Sequence, residues 1–153
     1  MLLRFSSLHR LLRVTAWCLR WRRKGQQTSS RTHTSAVTTP SLEPQEMDEA
    51  LINWIRTTQS RHYHTEVSSL DGNHTIPPRS PLKGLSPFLD NNGVMRVGGR
   101  LKHASLPEDQ RHPLIVPPDS WIARLLVDSY HRRTMHGGVQ LTLGLLRQRF
   151  WIP

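Results

Sequence analysis

The sequence predicts a mainly α-helical chain with one small β-hairpin, extended and partly disordered, and a helix–turn–helix at its C-terminal end. Three observations carry that expectation. Apolar residues recur at helical spacing in separate stretches, around 11–21, 47–55, 122–130 and 139–150. The clearest strand signal is two short apolar runs flanking Asn92-Gly93. Between the first and second helical stretches lies a Ser/Thr-rich run that offers almost nothing to bury.

The chain has 153 residues, enough for one ordinary domain, but 36% hydrophobic content with 11 Pro and 9 Gly points to ordered patches more than to a single large core. Its formal charge of +10 is uneven. Up to residue 42 there are eight basic side chains and no acid, whereas the remainder holds 13 basic against 11 acidic side chains. Clustered Arg and Lys suit a phosphate-bearing or otherwise acidic surface, or a targeting segment; a merely solvated basic face has the same composition. The single cysteine, Cys18, excludes a disulfide within the chain, and the composition is compatible with cytosol, nucleus or mitochondrion. No apolar run approaches the ~20 residues of a spanning helix, and Arg repeatedly interrupts the first 24 positions, so no membrane-spanning role is expected.

In chain order, Leu11, Val14, Cys18 and Trp21 recur as the apolar face of a basic amphipathic helix over 5–22, within a segment bounded at 1–24. Residues 25–44, "GQQTSSRTHTSAVTTPSLEP", cannot offset their ordering entropy and read as a disordered linker. Acids then open a second helix over 45–69, in a segment running to Asp71, with Met47, Leu51, Trp54 and Ile55 as its apolar side and a break expected near Ser60. His62 and His64 point apart on a helix and are read as solvated. Asn73-His74-Thr75 fits a glycosylation sequon by chance. Residues 72–117 form a short-stranded connecting region. In it Asn92-Gly93 turns a hairpin, Gly98-Gly99 ends its second strand, and Leu114 to Val116 make a further strand closed by two prolines. Asp119 or Ser120 caps the next helix, whose apolar face is Ile122, Leu125, Leu126 and Tyr130. Val139, Leu143, Leu146 and Phe150 then predict a short helix ending at Trp151-Ile152-Pro153.

The candidate site is His131 and His136. On an unbroken helix five residues turn the chain by ~500°, so the two rings would diverge by ~140° and could not share an ion. Joint action requires a reversal between them, which Gly137-Gly138 is expected to supply. The spacing suits the histidine half of a tetrahedral zinc site whose other half is two thiolates. Nine histidines in one chain also produce such spacings without a metal. Asp90, Asp119 and Asp128 are scattered and form no paired-carboxylate site, and "VGGRL" lacks the Lys and helix of a phosphate-binding loop.

Taken in order, "RVTAWCLRW", "LINWIRTTQ", "SPLKGLSPFLDNNGVMRVGGRL", "HPLIVP" and "HRRTMHGGVQLTLGLLRQRFWIP" resemble the polyprotein of a BEL/Pao-type retrotransposon, in the stretch joining the RNase H region to the integrase. The resemblance implies that 118–153 is part of the integrase zinc-binding domain, with His131 and His136 as zinc ligands, Trp151 as its packing aromatic and Thr142 as the hydroxyl residue of its second helix. It further implies a Cys-x2-Cys pair beyond the Trp-containing end, so the chain is expected to stop before its zinc site is complete. The acidic triad of the integrase core would also lie downstream, and no catalytic residue carries over. The expected function is a non-catalytic polyprotein fragment, ancestrally serving DNA integration, nuclear or cytoplasmic, touching nucleic acid through its basic N-terminal helix and capable of integrase-like self-association. The alternatives are a mitochondrially targeted protein, since the first 42 residues are Arg-rich and acid-free, and a domesticated nucleic-acid-binding protein.

Overall fold

The computed structural model describes residues 5–27, 41–99 and 105–153. It is mainly helical with a small four-stranded sheet. By contacts the chain divides at Asn53/Trp54 into two compact units. Most of the linker expected over 25–44 lies outside the described residues, at 28–40.

In the first unit, helix α1 spans Leu8–Gln27, later at both ends than the 5–22 expected. Its buried stripe is Leu8, Leu11, Leu12 and Ala16. Of the four residues expected to form the apolar face, only Leu11 is buried; Val14, Cys18 and Trp21 are exposed. Both series lie on one helix face, the expected one within about 80° and the buried one within about 140°; they share Leu11, and the side that is buried is the one carrying the aliphatics Leu8, Leu12 and Ala16. Helix α2, Pro44–His62, belongs to the first unit up to Asn53 and to the second from Trp54; it begins with proline at its first helical position, where the missing N–H leaves no orphan donor. Glu46 reaches back to accept the Glu43 backbone N–H at 2.9 Å, one half of a capping box. The same carboxylate takes the Arg20 guanidinium, with Nε to Oε1 at 2.7 Å, and Arg23 pairs with Glu49. The Arg20 bond, then the Glu43 N–H, hold the Glu46 carboxyl well below its ordinary 4.5, at about 2. The pKa of Arg20 is raised in turn, chiefly by the bond its guanidinium donates to Glu46.

In the second unit the helix break falls at Tyr63, and α3 runs His64–Asp71. His62 bonds the Thr58 carbonyl at 3.0 Å and His64 the Thr65 hydroxyl at 3.2 Å, so the two histidines sit on different helices. Strands β1 (Phe88–Leu89) and β2 (Met95–Arg96) form the hairpin, β3 is Leu114–Ile115 and β4 is Phe150–Trp151, in spatial order 1-2-3-4. The first two pairings are antiparallel and β3–β4 is parallel. The hairpin thus belongs to a larger sheet than the one expected. Its turn needs positive φ only at Gly93 (φ 67°), not at both Asn92 and Gly93. The Asp90 carboxylate holds the turn, accepting the backbone N–H groups of Asn92 at 2.9 Å and Val94 at 3.0 Å.

Two side chains stitch this unit together. Gln59, fully buried on α2, donates to the carbonyls of Met95 (2.8 Å) and Ile115 (2.6 Å) and accepts the Met95 N–H (2.8 Å). Arg96, buried in β2, pairs with Asp90 at 2.7 Å and Asp109 at 2.9 Å and donates to the His112 carbonyl. Burial works against the Arg96 charge, but the bonds to Asp90 and Asp109 outweigh it and raise its pKa. Asp109 belongs to the one-turn helix α4, Glu108–Arg111. Leu82, Met95 and Ile115 form an apolar cluster packed on by Tyr63, Val67, Leu70 and Leu89, among others.

Candidate functional site

Helix α5, Trp121–Arg133, starts where the sequence places it. Of the two candidate caps, Ser120 accepts the Ala123 N–H at 3.2 Å while its hydroxyl donates to Pro117 O. Ile122, Leu125 and Leu126 are buried as expected; Tyr130 is half-buried and meets Phe150 edge-on, ring centroids 6.0 Å apart. Helix α6, Val139–Arg147, is shorter than predicted. Phe150 and Trp151 leave helical spacing because they pair with β3: Leu114 N–H bonds Arg149 O at 2.9 Å, and Val116 N–H bonds Trp151 O at 2.8 Å. Val139, expected on the apolar face, is exposed; Thr142 and Leu146 are the buried residues of α6.

Between α5 and α6 the chain reverses through Thr134, Met135 and His136. The left-handed residues are Met135 (φ 51°) and His136 (φ 60°), two consecutive non-glycines, each carrying strain of about 1 kcal/mol. Gly138 has φ −55°, and Gly137 is absent from the positive-φ set, so the diglycine does not make the break as the sequence suggested. Gly137 is needed for a different reason. A Cβ there would come within 2.8 Å of Leu141 Cδ2 and 3.0 Å of the Thr134 carbonyl. Thr134 closes the turn, its hydroxyl donating to His131 O at 2.8 Å, and the His136 N–H bonds the same carbonyl at 3.1 Å. Thr142 leans over the turn from α6, 3.4 Å from both the Thr134 hydroxyl and Gly137 O.

The reversal brings the two candidate ligands together. His136 Nδ1 lies 3.1 Å from His131 Nε2, with ring centroids 4.8 Å apart and planes at 75°. Two nitrogens on one tetrahedral zinc, each ~2.0–2.1 Å from the ion, stand ~3.3 Å apart, close to the separation seen here, although both rings must turn from facing each other to facing an ion. The facing nitrogens can also share a single proton, one ring donating to the other. His131 is half-buried and His136 exposed, and both sit at the C-terminal end of α5, where the helix dipole favours a cation. Among the described residues no group of three or more His, Cys, Asp or Glu is placed to hold a metal ion. Trp151 is half-buried in β4 with the Arg147 guanidinium 5.6 Å from its ring centre.

Sequence reasoning missed Met135 and Thr134, the residues that set the reversal. Neither residue type advertises a left-handed turn, and the adjacent glycines drew the assignment. No protein-family model matches this chain, and no curated protein or solved structure does either.

Proposed function

We propose that the chain is a non-catalytic portion of a retrotransposon polyprotein, and that its α5–turn–α6 segment supplies the histidine half of an integrase-type zinc site. The carrying observation is the 3.1 Å approach of His131 Nε2 and His136 Nδ1 across a reversal built from two left-handed non-glycine residues. Hydrogen bonds to the His131 and Thr134 carbonyls already hold this turn, and a shared ion at the converged nitrogens would add to what offsets its strain. The ordered motif resemblance supplies the other half of the reading: two thiolates of a Cys-x2-Cys pair on sequence following Pro153. Within this reading the basic N-terminal helix contacts nucleic acid, the module serves self-association, and the chain itself contributes no catalytic residue. The zinc would act structurally, holding the α5–α6 angle.

A zinc titration against a competing chelator tests this. A complete four-ligand site draws ~10–16 kcal/mol from binding coupled to folding, so two imidazoles alone hold the ion weakly. Because zinc takes only neutral imidazole, protons compete with the ion and the weak contact fades as pH falls. A polypeptide extended through the downstream sequence should bind one zinc tightly, and His131→Ala or His136→Ala should abolish the gain. Tight binding that survives either substitution would overturn the proposal.

A further inference from the structure

Helix α1 presents two faces. The aliphatic stripe of Leu8, Leu11, Leu12 and Ala16 is buried in the folded chain. Opposite it, Arg10, Arg13, Val14, Trp17, Trp21 and Lys24 fall within an arc of about 100° on the helical wheel. All six are exposed, Trp21 by 83% and Trp17 by 44%. An indole left 83% in water is unusual for a side chain of that size. The two indoles are one turn apart, about 6 Å along the axis. With Cys18, Arg20 and Lys24 they line a shallow depression of about 390 Å³. The Arg20 guanidinium lies 4.7 Å from the Trp17 ring centre while holding Glu46, which braces the indole at the cleft. The helix carries six Arg or Lys and no acid.

Two partners match exposed aromatics among cations: an anionic membrane surface and a nucleic acid. A helix lying in a membrane interface segregates its charges from one broad apolar face and sinks that face into the acyl boundary. In α1 the aliphatic face is already buried, and the outward face interleaves cations with indoles. Interleaving is what a single-stranded nucleic acid needs, because each nucleotide offers a phosphate and a stackable base at short spacing. Duplex bases are stacked on one another and offer the indoles nothing.

We propose that the outward stripe of α1 binds single-stranded nucleic acid, with Trp17 and Trp21 stacking on bases and Arg10, Arg13 and Lys24 neutralising the adjoining phosphates. This rests on the nucleic-acid contact proposed above and deepens it by naming the strandedness and the residues. It is independent of the zinc site.

The test is fluorescence anisotropy on the full chain with labelled oligo(U) of about 20 nucleotides, a duplex of the same length, and vesicles containing phosphatidylserine. The single strand should bind at least about fivefold tighter than the duplex. Trp17→Leu and Trp21→Leu should each weaken it by roughly fivefold or more, Trp→Phe at either position should restore most of the loss, and duplex binding should not change. Three neutralised phosphates give a log–log salt slope of about −2, which Arg10→Gln with Arg13→Gln should bring to about −0.7. Far-UV circular dichroism checks that the exposed substitutions leave α1 folded. Equal affinity for duplex and single strand, indifferent to both indoles, overturns stacking and leaves a charge-only nucleic-acid contact standing. Vesicle binding that exceeds oligonucleotide binding and depends on the indoles overturns it in favour of a membrane. No binding to either oligonucleotide overturns this inference and the coarser contact together.

Discussion

Removing the Gln59 side chain should destabilise the second unit more than any surface change. The Asp90 N–H to Val94 O bond makes the next hairpin pair, Leu89 with Met95, one whose Met95 polar groups point away from β1. Direct β2–β3 pairing consists of the single register Arg96↔Leu114. Gln59 fills the adjoining gap, satisfying Met95 N–H, Met95 O and Ile115 O from a side chain that is 1% exposed. Gln59→Ala leaves three buried backbone groups without this partner, at about 1–3 kcal/mol each. Allowing for water entering the cavity and for non-additivity, we expect a loss of roughly 3–5 kcal/mol, a large fraction of the ~5–15 kcal/mol of an ordinary domain. Gln59→Glu should be at least as damaging, because it keeps the acceptor but sets a carboxylate against two carbonyls. Urea denaturation followed by circular dichroism measures the loss, and hydrogen exchange should show the Met95 amide deprotected first. A Gln59→Ala loss below about 1 kcal/mol, with Met95 still protected, would refute the reasoning.

Two further outcomes follow from the same geometry. Glu46 has a folded pKa of about 2, below its ordinary 4.5, so its stabilisation is full above about pH 4.5 and is lost as pH falls toward 2; between about pH 5 and 3 the wild type should lose more stability than Glu46→Gln, and identical acid profiles would remove the Arg20–Glu46 link from the account. Gly137→Ala forces Cβ against the Thr134 carbonyl and should disorder the turn, separating the His131 and His136 ring resonances in NMR, whereas Gly138→Ala, which meets nothing within 4 Å, should leave them in contact.

How much of this was legible in the sequence depended on whether a residue's role follows its type. Ser120 before an apolar-periodic run is a cap by its chemistry, and Ile122, Leu125 and Leu126 fall on one face by spacing. The histidine pair could be selected, because H-x4-H demands a reversal if it is to act. The mechanism of that reversal could not be read: strain at Met135 and His136 is imposed by the Thr134 and His131 carbonyl bonds, while the neighbouring glycines serve close approach and helix entry. Strand β4 was hidden because Phe150 continues the helical series of Leu143 and Leu146, and a two-residue strand has no period of its own. What makes it a strand is the parallel ladder to β3, a partner 36 positions away at Leu114↔Phe150. Gln59 carries no local signal of its role, since its three partners lie on strands far along the chain. On α1 the expected face of Leu11, Val14, Cys18 and Trp21 meets the buried one only at Leu11: Trp21 faces water, while Leu8, Leu12 and Ala16 are buried.

The most direct test of the central claim is zinc K-edge X-ray absorption on the polypeptide extended downstream of Pro153. The account predicts a four-coordinate first shell of two nitrogens at ~2.0–2.1 Å and two sulfurs at ~2.3 Å, with one nitrogen lost in His131→Ala and one in His136→Ala. A shell of oxygens, or one whose nitrogens are unchanged when both histidines are replaced, would contradict it.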